Sequence, residues 1–272
     1  MPNQKTPPKK NGVTAHRGDS TDFPENTLPA FRRAIQLGVD WIELDIHLTR
    51  DRQLVVIHDP DTGRVGGKKL IVAQSTWKDL QQADAAAQFR NANNRTLHDC
   101  PPERIPLLSE VLSLALEQNQ TRVSIQPKSD CVAEILSLID RMKAARHVGF
   151  NDGDPLKMQA VKKWNSSVPV FWDRCRSDLS ADISFARQNG FETIMLHIDD
   201  VTEQSIHAIQ EAKLEAGAWT VNAPGALQRL LKWGIDRIYT DNPALLLDLC
   251  SSRHTGIAGK EKADEEKPQF KP

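Results

Sequence analysis

The sequence predicts an α/β protein: a (β/α)8 barrel of eight parallel strands ringed by helices, with a short hairpin excursion after the second strand. Three observations carry this. Short apolar segments alternate with amphipathic ones from residue 13 to residue 250, the order that makes a parallel sheet with helices outside it. Nine strand candidates occur, but only Thr49 to Gln53 separates the second from the third. So short a link makes an antiparallel hairpin and not a parallel crossover, which leaves eight strands for the barrel. Finally, the chain's 272 residues are close to the roughly 250 that one such barrel needs.

The strands are expected at Val13–Ala15, Trp41–Leu48, Leu54–His58, Arg122–Gln126, His147–Phe150, Val168–Trp172, Thr193–His197, Gly217–Val221 and Arg237–Thr240. Helices are expected at Thr27–Leu37, Leu108–Gln118, Val132–Ala144, Pro155–Trp164, Leu179–Asn189, Glu203–Glu211, Ala226–Lys232 and Ala244–Cys250. Gly38, Gly190 and Gly234 follow three of these helices, where glycine accepts the left-handed conformation that ends a helix. An open doubly wound sheet is the alternative. No Gly-x-Gly-x-x-Gly follows the first strand, which removes the commonest functional reading of that fold.

One folded domain is expected over residues 12–250. Residues 1–11 read as a flexible basic lead, and residues 251–272 as a charged tail with too few apolar groups to offset the entropy of ordering. The net charge of −1 supplies no positive field for nucleic acid. The four cysteines are scattered without a Cys-x-x-Cys pair, as expected for reduced thiols in a cytosolic protein. The first eleven residues have no apolar run, and stretches such as Leu54 to Ile57 are too short to span a bilayer. The expectation is a cytoplasmic protein without a membrane anchor, its oligomeric state open.

The chemistry-bearing segment is Trp41 to Leu48. Side chains alternate faces along a strand, so Ile42, Leu44, Ile46 and Leu48 face the helices, while Glu43, Asp45 and His47 face the barrel interior. Two carboxylates buried side by side call for a compensating cation, and oxygen ligands suit Mg²⁺ or Ca²⁺. With Asp51 and Arg52 as a two-residue turn, residue 50 pairs with 53 and Asp45 falls directly across from His58. An imidazole there is placed for proton transfer near neutral pH. His16-Arg17-Gly18 ends the first strand, on the rim where barrel active sites form; Arg17 offers a forked donor for phosphate oxygens. Ser124, Gln126 and Lys128 share one face of a later strand, suited to metal and phosphate contacts. Trp219 is a candidate wall of the substrate pocket.

Taken together, these residues resemble the glycerophosphodiester phosphodiesterase family. The likeness runs through His16-Arg17-Gly18, Pro24-Glu25-Asn26-Thr27 with Ala30-Phe31, Glu43-Leu44-Asp45-Ile46-His47 and His58-Asp59. It continues through Ile105-Pro106-Leu107-Leu108-Ser109-Glu110-Val111-Leu112, Trp219-Thr220-Val221-Asn222 and Thr240-Asp241-Asn242-Pro243. The resemblance implies a distorted TIM-type barrel related to phosphatidylinositol-specific phospholipase C. It implies one divalent cation held by Glu43, Asp45 and Gln126, with His16 and His58 as general acid and base. Arg17 and Lys128 would grip the phosphate, with His47 and Trp219 completing the substrate site. It further implies hydrolysis of a small glycerophosphodiester to glycerol 3-phosphate and an alcohol, with a glycerol hydroxyl attacking phosphorus first.

Two departures stand out. Relatives usually carry Glu-x-Lys where this chain has Gln126-Pro127-Lys128, so the site loses one formal anion. Relatives usually carry Gly where this chain has Arg52. Gln126 supports a rival expectation, a phosphodiester-binding barrel that has lost activity. A zinc hydrolase built on His16, His47 and His58 is a third reading; two adjacent carboxylates and the lack of a His-Glu-x-x-His signature oppose it.

Overall fold

The computed structural model describes residues 12–261, with helices and strands alternating along almost all of that span. The strands are β1 (Val13–His16), β2 (Trp41–Leu48), β3 (Leu54–Val56), β4 (Arg122–Pro127), β5 (Val148–Asp152), β6 (Val170–Arg174), β7 (Thr193–His197), β8 (Glu215–Trp219) and β9 (Arg237–Thr240). They lie in the order β1-β9-β8-β7-β6-β5-β4-β2, and β1 pairs back onto β2, closing a barrel of eight parallel strands. Each expected strand is present. The last helix, Pro243–Glu261, extends past residue 250, where a tail was expected. Residues 1–11 and 262–272, the rest of the expected lead and tail, lie outside the described residues.

The alternation along β2 sorts its side chains as the sequence requires. Ile42, Leu44 and Ile46 join the large apolar cluster between strands and helices, while Glu43, Asp45 and His47 are buried on the other face. Trp41, Phe171, Met195 and Tyr239 form a separate apolar cluster at the floor of the barrel interior. Polar chemistry is thereby lifted to the C-terminal rim.

β2 is twice as long as β1, and this builds the mouth. Its first part pairs with β1, with His16 opposite Glu43. Its other edge pairs with β4 as far as Ile46 and Pro127. Beyond the end of β1, the vacated edge is taken by β3, antiparallel, with Ile46 opposite Val56. β3 therefore runs back down toward the end of β1 and delivers His58 beside the site.

The hairpin register differs from the expected one by a residue. Thr49 pairs toward Gln53, and Ile57 N–H donates to Asp45 O, so Asp45 faces Ile57 and not His58. The cause is local. Thr49 Oγ1 accepts from Gln53 N–H at 2.8 Å and donates to Asp51 Oδ1 at 2.6 Å, closing a three-residue loop. Such a loop needs a left-handed residue at its end, and Arg52 takes that place with φ 59°.

The stretch between β3 and the helix Leu108–Leu116 was not assigned from sequence. It holds three short helices, Gly63–Gly66, Trp77–Leu80 and Ala87–Ala92. They enclose a second small core of Val55, Ile57, Val65, Val72, Leu80 and Ile105. This subassembly covers one side of the barrel mouth.

Candidate active site

The site is assembled on the ends of β1, β2 and β4. Glu43 and Asp45 are buried to within 1 % exposure. Burial, and then the Asp45 carboxylate, pushes Glu43 up to about 7. Oδ1 of Asp45 is buried without a hydrogen-bond partner. Its other oxygen accepts from Asn26 Nδ2 at 2.9 Å. A carboxylate oxygen with no hydrogen bond, beside a second buried carboxylate, fits a hard divalent cation, which prefers oxygen ligands.

His16 ends β1. Its Nδ1 lies 2.7 Å from Oδ1 of Asp241, and its Nε2 lies 3.9 Å from Oε2 of Glu43. Burial pushes this imidazole down, and that is the largest single effect. The Asp241 hydrogen bond and the Glu43 charge outweigh it and leave the ring above its usual value. His58 is arranged in the same manner. Its Nδ1 lies 2.7 Å from Oδ1 of Asp59, and its Nε2 lies 3.2 Å from Lys128 Nζ. In both rings a carboxylate holds Nδ1, which fixes the orientation of the ring and leaves Nε2 toward the shared centre.

Arg17 follows His16 with φ 59°. Its Nε lies 3.3 Å from Asp45 Oδ2, and its Nη1 donates to Glu25 Oε1 at 3.0 Å. Glu25 also accepts two bonds at 2.7 Å from Arg64 of the inserted subassembly, and Arg64 Nε donates to Asp59 at 2.5 Å. One chain of charges thus links Arg17 to the partner of His58. Gly18 lets this turn lie against the helix Leu28–Leu37: a Cβ there would stand 2.7 Å from Ala30 Cβ and 2.8 Å from Ala30 C.

Lys128 Nζ reaches His58, Gln126 Oε1 at 3.1 Å and Asp45 Oδ1 at 3.7 Å. Gln126 sits opposite Asp45 in the β2–β4 register and points into the barrel. Its Nε2 donates to Asp173 Oδ2 at 3.2 Å. Asp173, on β6, also accepts from Asn151 Nδ2 at 3.3 Å, and its Oδ1 is buried without a partner. Burial pushes Asp173 up to about 8.

Seven of the expected residues, His16, Arg17, Glu43, Asp45, His58, Gln126 and Lys128, are thus joined by short contacts. His47 is near them but otherwise engaged: its Nε2 lies 3.0 Å from His58 O, so it anchors the loop that carries His58. No hydrogen bond or ring contact joins Trp219 to these residues. Its ring packs on the floor cluster, its Nε1 donates to Met195 O at 3.1 Å, and His197 meets it edge-on at 5.0 Å between centroids. A cavity of ≈ 380 Å³ opens beside His16, Arg17 and Asp241, with Val65 and Phe89 of the inserted subassembly on its far side.

Sequence reasoning assigned no role to Glu25, Asn26, Asp59, Asp241 and Asp173. The first four lie inside the quoted motifs, so the signal was present. Asp173 could have been found from alternation, because it shares the inward face of β6 with Phe171.

The sequence pattern of the glycerophosphoryl diester phosphodiesterase family matches residues 16–245. A glycerophosphodiester phosphodiesterase of Caldanaerobacter subterraneus subsp. tengcongensis is 30% identical over 87% of this chain and 96% of its own. Among solved structures, a putative glycerophosphoryl diester phosphodiesterase from Silicibacter pomeroyi aligns with TM-score 0.79 at 21% identity, covering 90% of this chain and 95% of that one. An Oleispira antarctica phosphodiesterase in complex with the product sn-glycerol-3-phosphate aligns with TM-score 0.76 at 21% identity, over 88% of this chain and 96% of its own.

Proposed function

The chain belongs to the glycerophosphoryl diester phosphodiesterase family, and from that premise we propose that it hydrolyses small glycerophosphodiesters to glycerol 3-phosphate and an alcohol. The observation that carries the reading is the pair of carboxylate-held imidazoles, His16–Asp241 and His58–Asp59, turned toward one centre that also contains Glu43, Asp45, Arg17 and Lys128.

In this reading Arg17 and Lys128 bind the phosphate oxygens and fix the diester in line between the two histidines. One imidazole takes the proton of the attacking glycerol hydroxyl through Nε2, and the other gives a proton to the departing alcohol oxygen, leaving a cyclic phosphate; with the two rings exchanging roles, water then opens that ring to glycerol 3-phosphate. Asp241 and Asp59 stabilise each ring when it is charged and keep it from turning. Glu43, Asp45 and Oε1 of Gln126 would hold Mg²⁺ or Ca²⁺, which supplies positive charge to the phosphoryl oxygens. The cavity walled by Val65 and Phe89 would receive a substituent of the diester. Among the described residues no helix is long and apolar enough to cross a membrane.

The rival reading, a barrel that binds without turnover, rested on Gln126. It is not favoured, since both histidines, both carboxylates and both phosphate-directed cations are in place around that residue. The test is turnover of glycerophosphocholine, glycerophosphoethanolamine and glycerophosphoinositol by chelator-stripped protein, with Mg²⁺ or Ca²⁺ restored. Release of glycerol 3-phosphate only with metal supports the proposal; equal release in chelator removes the metal from it.

A further inference from the structure

The rim of the barrel at β6 and β7 carries a cluster that the proposed reaction does not use. Arg174, the last residue of β6, lies opposite Leu196 in the register. Cys175 and His197 are the next residues on these neighbouring strand ends, and the single turn Ile198–Asp200 follows His197. The Cys175 thiol, a ring nitrogen of His197 and a carboxylate oxygen of Asp200 lie within 4.8 Å of one another. Cys175 is exposed and free, and the other two are half-buried.

We propose that Cys175, His197 and Asp200 bind a transition-metal cation of the Zn²⁺ class, at a site distinct from the Glu43–Asp45 centre. The donor set decides the class. Thiolate and imidazole favour borderline or soft cations, whereas Mg²⁺ and Ca²⁺ take oxygen. Three protein ligands leave a fourth, tetrahedral position for water or another ligand. Ligand atoms around such an ion stand roughly 3.5 Å apart, so the cluster must close by about 1 Å, a movement that the exposed Cys175 side chain can supply. Metal binding forms the sulfur–metal bond as the thiol proton passes to solvent.

Two surrounding contacts prepare the ligands. Arg176 N–H donates to Asp200 Oδ2 at 2.8 Å and orients that carboxylate. Asp199 holds the His197 ring: its N–H donates to Nδ1 at 3.4 Å, and its Oδ2 lies 3.4 Å from the same nitrogen. Outer partners of this kind tune ligand orientation and affinity. Because Trp219 meets His197 edge-on at 5.0 Å, it reports on the cluster. The site does not depend on the reaction proposed above.

The experiment is titration of the full chain with Co²⁺, a spectroscopic substitute for Zn²⁺, in excess Mg²⁺. One equivalent should give a thiolate-to-cobalt charge-transfer band and the strong visible absorption of a tetrahedral ion. Zn²⁺ should abolish both and alter the intrinsic fluorescence, and Trp219→Phe should remove most of that fluorescence change. Cys175→Ser should lose the thiolate band, and His197→Ala should weaken binding at least about tenfold. Asp45→Asn should keep the band, which separates this site from the Glu43–Asp45 centre. Absence of the band in the wild-type protein, or its persistence in Cys175→Ser, would overturn the proposal.

Discussion

The side-chain amide of Gln126 is held at both ends: Nε2 donates to Asp173 Oδ2 at 3.2 Å and Oε1 accepts from Lys128 Nζ at 3.1 Å. An ammonium can only donate, so Lys128 takes the oxygen end of the Gln126 amide and leaves the nitrogen end to Asp173. The oxygen of Gln126 is thereby turned toward Lys128 and the Asp45 side, the end a cation can use. Asp173 also places a carboxyl group one hydrogen bond behind Gln126.

Above pH 8, where Asp173 is ionised and can only accept, Asp173→Asn gives Gln126 a partner that donates as well, and the amide is then free to turn. Calorimetry should show Mg²⁺ or Ca²⁺ affinity falling about 10- to 100-fold, the usual scale for losing an outer partner of a ligand. The double variant Gln126→Glu/Asp173→Asn exchanges amide and carboxylate between the two positions and should bind at least as tightly as the wild-type protein. Unchanged affinity in Asp173→Asn would take Asp173 out of the metal site.

His16→Ala and His58→Ala should each lower kcat by at least about 10²-fold, the scale for losing a positioned acid or base. Asp241→Asn and Asp59→Asn should also lose activity, because each ring then loses the acceptor that orients it. Near-normal turnover in either alanine variant, with circular dichroism unchanged, would exclude that histidine from the mechanism.

Arg17→Lys keeps the charge but not the planar fork. Arginine can bind two phosphate oxygens while still meeting Glu25 and Asp45, and an ammonium cannot reproduce that geometry. Steady-state kinetics should show kcat/KM reduced by about tenfold or more. Kinetics matching the wild-type enzyme would make Arg17 a structural ion-pair residue only.

Asp19 gives a pH dependence of stability. It is buried to 1 % exposure with Arg33 Nε 3.7 Å from Oδ2. Burial, then the charge of Asp22, raises it from 3.8 to about 6. The folded state therefore holds the proton more tightly than the unfolded state, so stability falls as pH rises through this window and levels off above it. Asp19→Asn should make that slope shallower, with Glu43 and Asp173 keeping their own shares, and add on the order of 1–2 kcal/mol at pH 7, after allowance for screening by Arg33. Urea melts at pH 4.5 and pH 7 measure both effects. The same pH slope in wild-type and variant protein would contradict this assignment.

Much of this arrangement is legible in the sequence for a physical reason. A strand inside a closed barrel has two buried faces, so Glu43, Asp45 and His47 alternating with Ile42, Leu44 and Ile46 can only be a designed polar face. The short Thr49–Gln53 link likewise admits only a hairpin. The hairpin register was harder to read, because a side-chain hydroxyl, Thr49 Oγ1, chose a three-residue loop over a two-residue one. His58 still reaches the site, carried there by the loop after β3 and pinned by His47, instead of by strand pairing with Asp45. The inserted helices between residues 63 and 92 show little periodicity, since each is shorter than two turns. Their small core forms only against Val55 and Ile57, a tertiary fact. Asp173 lies far along the chain from the motif residues, and its relation to Gln126 exists only once the barrel is closed.

The most direct test is ³¹P NMR of glycerophosphocholine incubated with the wild-type protein and Mg²⁺ or Ca²⁺, beside the His16→Ala and His58→Ala variants. The account predicts that the diester resonance is replaced by that of glycerol 3-phosphate with the wild-type protein, and persists with either variant or in chelator. A diester that stays intact with wild-type protein and metal, when glycerophosphoethanolamine and glycerophosphoinositol also stay intact, would contradict the account and leave a barrel that binds without turnover.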